Sequence, residues 1–355
     1  MNKKNMKTLR RLTGNRAFSL VRLTTAVALI SGAAAMAFTA ASPTGDAGSN
    51  MRVVSNMQVV NCDRGEEIAR ALARAEPGDT IRVTGTCFER VSIKTDRITL
   101  DGQGAATLDG GGGPTSEFDG VVTIDGASGV TIQGFTVQNG PGEGILGTHG
   151  AAFSMIRIND NLGPGAVING TSIIEIRGAQ VEASRNGGPG LVAGSNSQLA
   201  VFSFADSQGS TFTIDANGGA GIVLADSILN VFRSESTITI TNSPLGILVV
   251  AGKIISPDGV GTFVIENNGV GLDFGLDGTA LLVGGWTVRN NGTGVRGDGA
   301  GVLTFISIPS NPSAITGNGV DVDLRFGARA TIEGVDVGTI TCDSTVLSRG
   351  TTVCP

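Results

Sequence analysis

Tyrosine is absent from this 355-residue chain, and tryptophan and histidine occur once each, as Trp286 and His149. A sugar cleft walled by stacked tyrosine and tryptophan is therefore excluded, and so is a multi-histidine metal centre. Beyond residue 41 only two lysines remain, Lys94 and Lys253, and no basic run occurs. That argues against an electrostatic nucleic-acid footprint, so no nucleic-acid partner is expected. The four cysteines form no Cys-x-x-Cys, which removes the usual thiolate zinc spacing. After residue 76 no segment carries a sustained helical period, so alternating strand–helix units are excluded.

What is present begins with a leader. Residues 1–22 hold seven Lys/Arg and no acid, and an apolar stretch from Leu23 to Ala40 follows. Ala35-Met36-Ala37 and Thr39-Ala40-Ala41 both fit the small-x-small cleavage rule. Residues 1–41 therefore read as a secretory signal peptide rather than a membrane span, and a periplasmic or extracellular protein without membrane insertion is expected. Removing the leader leaves 25 − 7 = 18 Lys+Arg against 31 Asp+Glu, a net charge of −13. All four cysteines lie beyond the leader, and an even count in an oxidising compartment predicts two disulfides. Three pairings satisfy that count. The nearest-neighbour one, Cys62–Cys87 and Cys342–Cys354, is the expected one.

A repeat dominates the rest. Asn, three residues, Gly and an aliphatic recur at Asn161, Asn186, Asn217, Asn242, Asn267 and Asn290, with an expanded copy at Asn139 and a shortened one at Asn318. Successive asparagines are 22, 25, 31, 25, 25, 23 and 28 residues apart. Short β-branched alternations precede each mark, such as Thr211-Phe212-Thr213-Ile214 and Thr237-Ile238-Thr239-Ile240. A period near 25 residues with two or three short strands and tight turns is the signature of a parallel β-solenoid, whose coils must stack to bury their inward side chains. Roughly ten coils at ~4.8 Å each make a rod ~45–50 Å long. The asparagines are predicted to form one ladder in one turn column.

The expected organisation is a flexible arm over residues 42–61, an N-terminal cap over 62–97, the solenoid over 98–338 and a disulfide-closed C-terminal cap over 339–355. In the first cap, Asp63 and Glu66 resemble a capping box, and Ile68, Leu72 and Ala75 mark one apolar stripe. A helix laid over the open end of the first coil is predicted for residues 63–75.

The run Ala75 to Val83, then Thr86-Cys87-Phe88-Glu89-Arg90-Val91, then Ile98-Thr99-Leu100-Asp101-Gly102, resembles the entry to right-handed parallel β-helix proteins of the pectate-lyase-like superfamily. The resemblance spans about residues 62–340. It implies an all-β right-handed parallel β-helix. It also implies either a polysaccharide lyase or glycoside hydrolase, or a non-enzymatic surface module, since this fold carries both. The Asn-Thr-Asp and Asp-Asp elements of polygalacturonases are missing, as are the Arg-x-Pro-x-x-Arg of pectate lyases and the Asp-Pro-His-Asp of alginate epimerases. Gly147-Thr148-His149-Gly150 matches the polygalacturonase Gly-His-Gly only in part, so no catalytic residue carries over.

Registering the coils on the repeat glycine gives an inward stack of Ile145, Ala166, Leu191, Ile222, Ile247, Leu272, Val295 and Val320. The next residues point outward: Leu146, Val167, Val192, Val223 and Leu248, then Asp273, Arg296 and Asp321. The five aliphatic residues form a candidate partner-binding or self-association stripe, which is expected to be covered by residues 42–60, a long turn or a second copy. The charged part is either a solvated ladder or a site. Read as a site, Arg296, Asp298, Asp321, Asp323 and the distant Lys253 are the catalytic candidates. Asp298, Asp321 and Asp323 would be the calcium candidates, and no other cofactor is expected. Gly142-Glu143-Gly144-Ile145-Leu146-Gly147 matches a dinucleotide fingerprint, but no helix follows and its glycines belong to the repeat. His149 reads as a solvent-facing turn residue. The favoured function is a non-catalytic binding or structural module with a polysaccharide or protein partner; the alternative is a carbohydrate-active enzyme working along the charged face.

Overall fold

The computed structural model describes residues 56–354, apart from 112–119, 171–172, 178–179, 203–210, 233–235, 258, 260 and 351–353. The expected signal peptide over 1–41 lies outside the described residues. What is described is a parallel β-solenoid with three strands per coil. One coil runs Ala220–Ala225, Ile228–Phe232 and Thr237–Thr241; the next runs Leu245–Val250, Lys253–Ser256 and Thr262–Glu266. Ile222 pairs with Ile247, Leu229 with Ile254 and Ile238 with Phe263, so one coil lies squarely on the next.

The first strands of the coils make one eleven-stranded face, from Val91–Ile93 to Ile340–Cys342. The second and third strands form the other two faces, which join into one 22-stranded sheet because Thr99–Asp109 and Val130–Gln138 bend round the corner between them. Alternation sends every second side chain inward. The interior is aliphatic, with Phe135, Phe212 and Phe263 buried as their strand positions predict. Trp286 is buried as well, stacked on Phe263 with ring centroids 3.7 Å apart and meeting Phe305 edge-on at 6.3 Å.

The corner between the third and first faces carries the repeat. Two adjacent positions matter there. The first has a left-handed backbone, filled by Asn139, Asp160, Arg185, Ala216, Asn242, Asn267, Asn290 and Gly317. The second points into the stack and builds a ladder. Asn161 Nδ2 donates to Asn186 Oδ1 (2.9 Å), and Asn186 Nδ2 to Asn217 Oδ1 (3.0 Å). The ladder resumes with Ser243 N to Asn268 Oδ1 (3.0 Å), then Asn268 to Asn291 (3.1 Å), Asn291 to Asn318 (2.9 Å) and Asn318 to Asp321 (2.8 Å). Each Nδ2 also donates to a backbone carbonyl of the preceding coil, as Asn186 does to Ile158 O at 3.0 Å.

The single predicted column is therefore two. Asn139, Asn242, Asn267 and Asn290 hold the left-handed turn, while Ser243, Asn268 and Asn291 stand in the ladder. The spacing hid this because the later turns are one residue shorter. Glycine follows four residues after Asn161 but three after Asn268, and asparagine suits both slots for different reasons. The glycine is part of the same device. A Cβ on Gly144, Gly165 or Gly190 would stand 2.7, 2.8 or 2.9 Å from the Nδ2 of Asn161, Asn186 or Asn217 in the following coil.

The last coils correct the inward list. Val322, not Val320, pairs with Val295 and is buried; Val320 pairs with Thr293 and is partly exposed. Asn318 stands on Asn291 with the same spacing to the strand, so Asp321 takes the place of the repeat glycine Gly294, its carboxylate ends the ladder, and the inward position falls at Val322.

At the N-terminus, Met57–Asn61 is a strand paired with Thr80–Thr84, although the sequence places it in a flexible arm. The predicted helix over 63–75 is split. A 3-10 turn covers Cys62–Arg64, Gly65 takes a left-handed backbone, and the α-helix is confined to Ile68–Leu72. Its first amides are capped by Glu89, which accepts from Ile68 N (2.7 Å) and Ala69 N (3.1 Å); Asp63 instead accepts from Thr86 N. Ile68 and Leu72 are buried, and Ala75 packs against the core. Both expected disulfides are present, Cys62–Cys87 with Cα atoms 5.0 Å apart and Cys342–Cys354 at 5.7 Å. Among the described residues no helix is long and apolar enough to cross a membrane.

Ala216 holds a left-handed backbone (φ 52°) at an exposed position, where L-residues other than asparagine are disfavoured by about 1–2 kcal/mol. Ala216→Asn is expected to raise unfolding stability by about 0.5–1 kcal/mol, measured as a shift in denaturant midpoint at unchanged m.

Candidate functional site

The first face presents the predicted outward row. Leu146, Val167, Val192, Val223 and Leu248 pair in unbroken register, each half-buried between buried neighbours. Met57–Asn61, part of the segment expected to cover them, lies in the other sheet instead. The row continues as Asp273, Arg296 and Asp323, since Arg296 pairs with Asp323 rather than with Asp321.

These charges close on one another. Arg296 grips Asp273 through Nε (3.0 Å) and Nη2 (2.5 Å), and Arg325 grips Asp323 through Nε (2.9 Å) and Nη2 (2.8 Å). Asp273 and Asp323 are buried. The hydrogen bonds to Asp273, reinforced by the charges of Asp273, Asp298 and Asp323, hold the Arg296 guanidinium above its ordinary pKa. Asp321 is buried elsewhere, at the ladder's end, where it accepts from Asn318 N, Asn318 Nδ2 and Thr339 N. Lys253 is an exposed residue of the second face. The proposed set of Arg296, Asp298, Asp321, Asp323 and Lys253 is thus not one constellation. Asp298, Asp321 and Asp323 do not gather as a calcium site either. Among the described residues the ligand-type trio that clusters is Cys62, Cys87 and Glu89, whose sulfurs are bonded to each other and whose carboxylate caps a helix.

A groove of about 360 Å³ opens on the second face. Thr131, Ala152 and Glu175 follow one another in register along three coils and form its floor. Ser128, His149 and Ile173 contribute to its walls. His149 stands exposed on the turn between the first and second faces, as expected for a solvent-facing histidine, yet it borders this groove. Thr148 Oγ1 lies 3.1 Å from His149 Nδ1 and 3.4 Å from Ile124 O. The groove thus offers an imidazole, a carboxylate and hydroxyls around small apolar side chains. Thr131 and Glu175 escaped the sequence reading because only the first face carries a repeat mark that fixes register. The alternation Val130-Thr131-Ile132 was the available signal on the second face.

The third face contributes one tuned carboxylate. Burial pushes the Asp109 carboxyl up, but hydrogen bonds from Gln138 Nε2, Gly111 N and Asn139 Nδ2 together outweigh it and hold the group below its ordinary value of 3.8.

No family model matches the chain, and no curated protein matches it. Solved structures do. One is the A-module of a mannuronan C-5 epimerase from Azotobacter vinelandii, 14% identical over 79% of this chain and 84% of that one, with a TM-score of 0.44. Another is an alginate lyase from Paenibacillus sp. strain FPU-7, 13% identical over 82% of this chain and 99% of that one, with a TM-score of 0.35.

Because the folded state favours ionised Asp109, that contribution is complete above the unfolded value of 3.8 and is lost as pH falls through the lower folded value. Asp109→Asn is expected to flatten the acid limb of the stability–pH curve and to lower stability at neutral pH, read by chemical denaturation at a series of pH values.

Proposed function

We propose that this chain is an exported β-solenoid that binds a polysaccharide without cleaving it, through the groove bordered by His149 and Glu175. One observation carries the reading. The groove sets hydrogen-bonding groups beside the apolar side chains of Ala152 and Ile173 on registered strands, while on the first face Asp273 with Arg296 and Asp323 with Arg325 form ion pairs. A sugar ring has the same two characters, with hydroxyls at its edge and C–H groups on its faces. Thr131, Ser128, Glu175 and the His149 imidazole suit the hydroxyls, and Ala152 and Ile173 suit the ring face. The ligand is expected to be neutral, because the exported chain is strongly acidic and the described residues of the groove lining include no lysine or arginine. The two disulfides fit an oxidising location outside the cytoplasm.

A catalytic reading has one specific support: His149 and Glu175 border the same groove, and an imidazole and a carboxylate in one groove are the raw material of acid–base chemistry. Screening the purified protein against neutral and acidic polysaccharides for both retention and new chain ends separates the two. Retention of a neutral polymer with no new ends is expected, weakened about tenfold by His149→Ala, the size of one lost hydrogen bond. New chain ends that vanish in Glu175→Gln would overturn the binding reading in favour of an enzyme. Retention unaffected by either substitution would remove the groove from both.

A further inference from the structure

We propose that Asn217–Gly218 is the deamidation site of the asparagine column, and that the ladder locks the other Asn-Gly pairs against the same reaction. The column contains five such pairs: Asn186–Gly187, Asn217–Gly218, Asn268–Gly269, Asn291–Gly292 and Asn318–Gly319. In a flexible chain Asn-Gly is the sequence most open to this chemistry, because glycine puts no side chain in the path. The glycine nitrogen attacks the asparagine Cγ and loses its proton. The Cγ–Nδ2 bond breaks, ammonia leaves, and a five-membered succinimide remains. Water then opens the ring to aspartate or isoaspartate.

The solenoid blocks each requirement. The attacking nitrogen is engaged: Gly187 N donates to Asn161 O (2.8 Å), Gly218 N to Asn186 O (2.7 Å), Gly292 N to Asn268 O (3.0 Å) and Gly319 N to Asn291 O (2.9 Å). The leaving amide is clamped. Asn186 Nδ2 is held by Ile158 O and Asn217 Oδ1, and Asn291 Nδ2 by Ile265 O, Arg289 O and Asn318 Oδ1. Water is kept out, since Asn186, Asn217, Asn268 and Asn291 are all buried.

Asn217 is the weak link. The next coil offers Ser243 in place of an asparagine, so among the described residues Asn217 Nδ2 meets only Ala183 O (3.0 Å). The product would also be harmful there. An aspartate in the column turns an oxygen onto the preceding coil's carbonyl, where the amide donated. Only the ladder's end, Asp321, meets donors alone, and there the chain itself places a carboxylate.

The test compares the folded protein with the denaturant-unfolded chain in mildly alkaline buffer, mapping aspartate and isoaspartate by peptide mass spectrometry. Conversion at the five pairs is expected to be ~100-fold or more slower in the folded protein, because reaction must wait for local opening. Asn217 is expected to lead the four buried pairs, those of Asn186, Asn217, Asn268 and Asn291. Ser243→Asn, which offers Asn217 a new acceptor, should slow Asn217 to the rate of Asn186 and leave the others unchanged. If that variant does not fold, the wild-type ranking decides. Equal rates in folded and unfolded chains, or an Asn217 no faster than Asn186 and Asn291, would overturn the proposal.

Discussion

One contact organises this molecule: the side-chain amide of an asparagine seated over a glycine of the preceding coil and bonded to its counterpart in the next. Parallel coils have no intrinsic register, because aliphatic stacks tolerate sliding. The amide column removes that freedom. Except at Asn217, each Nδ2 meets a backbone carbonyl on one side and an Oδ1 on the other, and burial makes an unmet partner cost about 1–3 kcal/mol per group. Glycine at the facing position follows directly, since a Cβ on Gly190 would stand 2.9 Å from Asn217 Nδ2. The amide dipoles all point the same way, with donors toward the C-terminal coils. A carboxylate at that end, Asp321, is what such a chain of hydrogen bonds calls for.

With register fixed from one corner, the three outer faces are free to differ. The first carries a half-buried aliphatic row that passes into an ionic one, in which Asp273 with Arg296 and Asp323 with Arg325 satisfy each other. Such pairs hold buried carboxylates in place and leave little for a substrate. The second face holds the groove, and its floor residues come from three consecutive coils. A polymer binding there would be read by residues far apart in sequence but one strand spacing apart in space, ~4.8 Å.

The fold was largely legible, because a repeat of asparagine, glycine and β-branched strands admits few architectures. The inward stack from Ile145 to Val295 follows from the same pattern, and both disulfides follow from nearest-neighbour pairing of the four cysteines. The errors share one cause. Asparagine serves as a left-handed turn residue at Asn290 and as a ladder rung at Asn291, and composition cannot separate the two. At Asn318 the glycine that follows directly resembles the repeat glycine, but Asp321 holds that place, which moves the inward position from Val320 to Val322. Of the charged candidates, Arg296 and Asp323 are neighbours in register, and pairing geometry, invisible in sequence, joins them with Asp273 in a structural ladder. The groove was missed because no repeated residue marks the second face.

The most direct test sets two adjacent asparagines against each other. Asn290 is exposed in the turn, and Asn291 is buried in the ladder. Equilibrium unfolding of Asn291→Ala should show a loss of about 2–3 kcal/mol, the cost of stranding buried partners on both sides. Asn290→Ala should lose under about 1 kcal/mol, the lower bound of the left-handed backbone penalty. Equal losses, or a larger loss at Asn290, would contradict the claim that the amide column holds the coils in register.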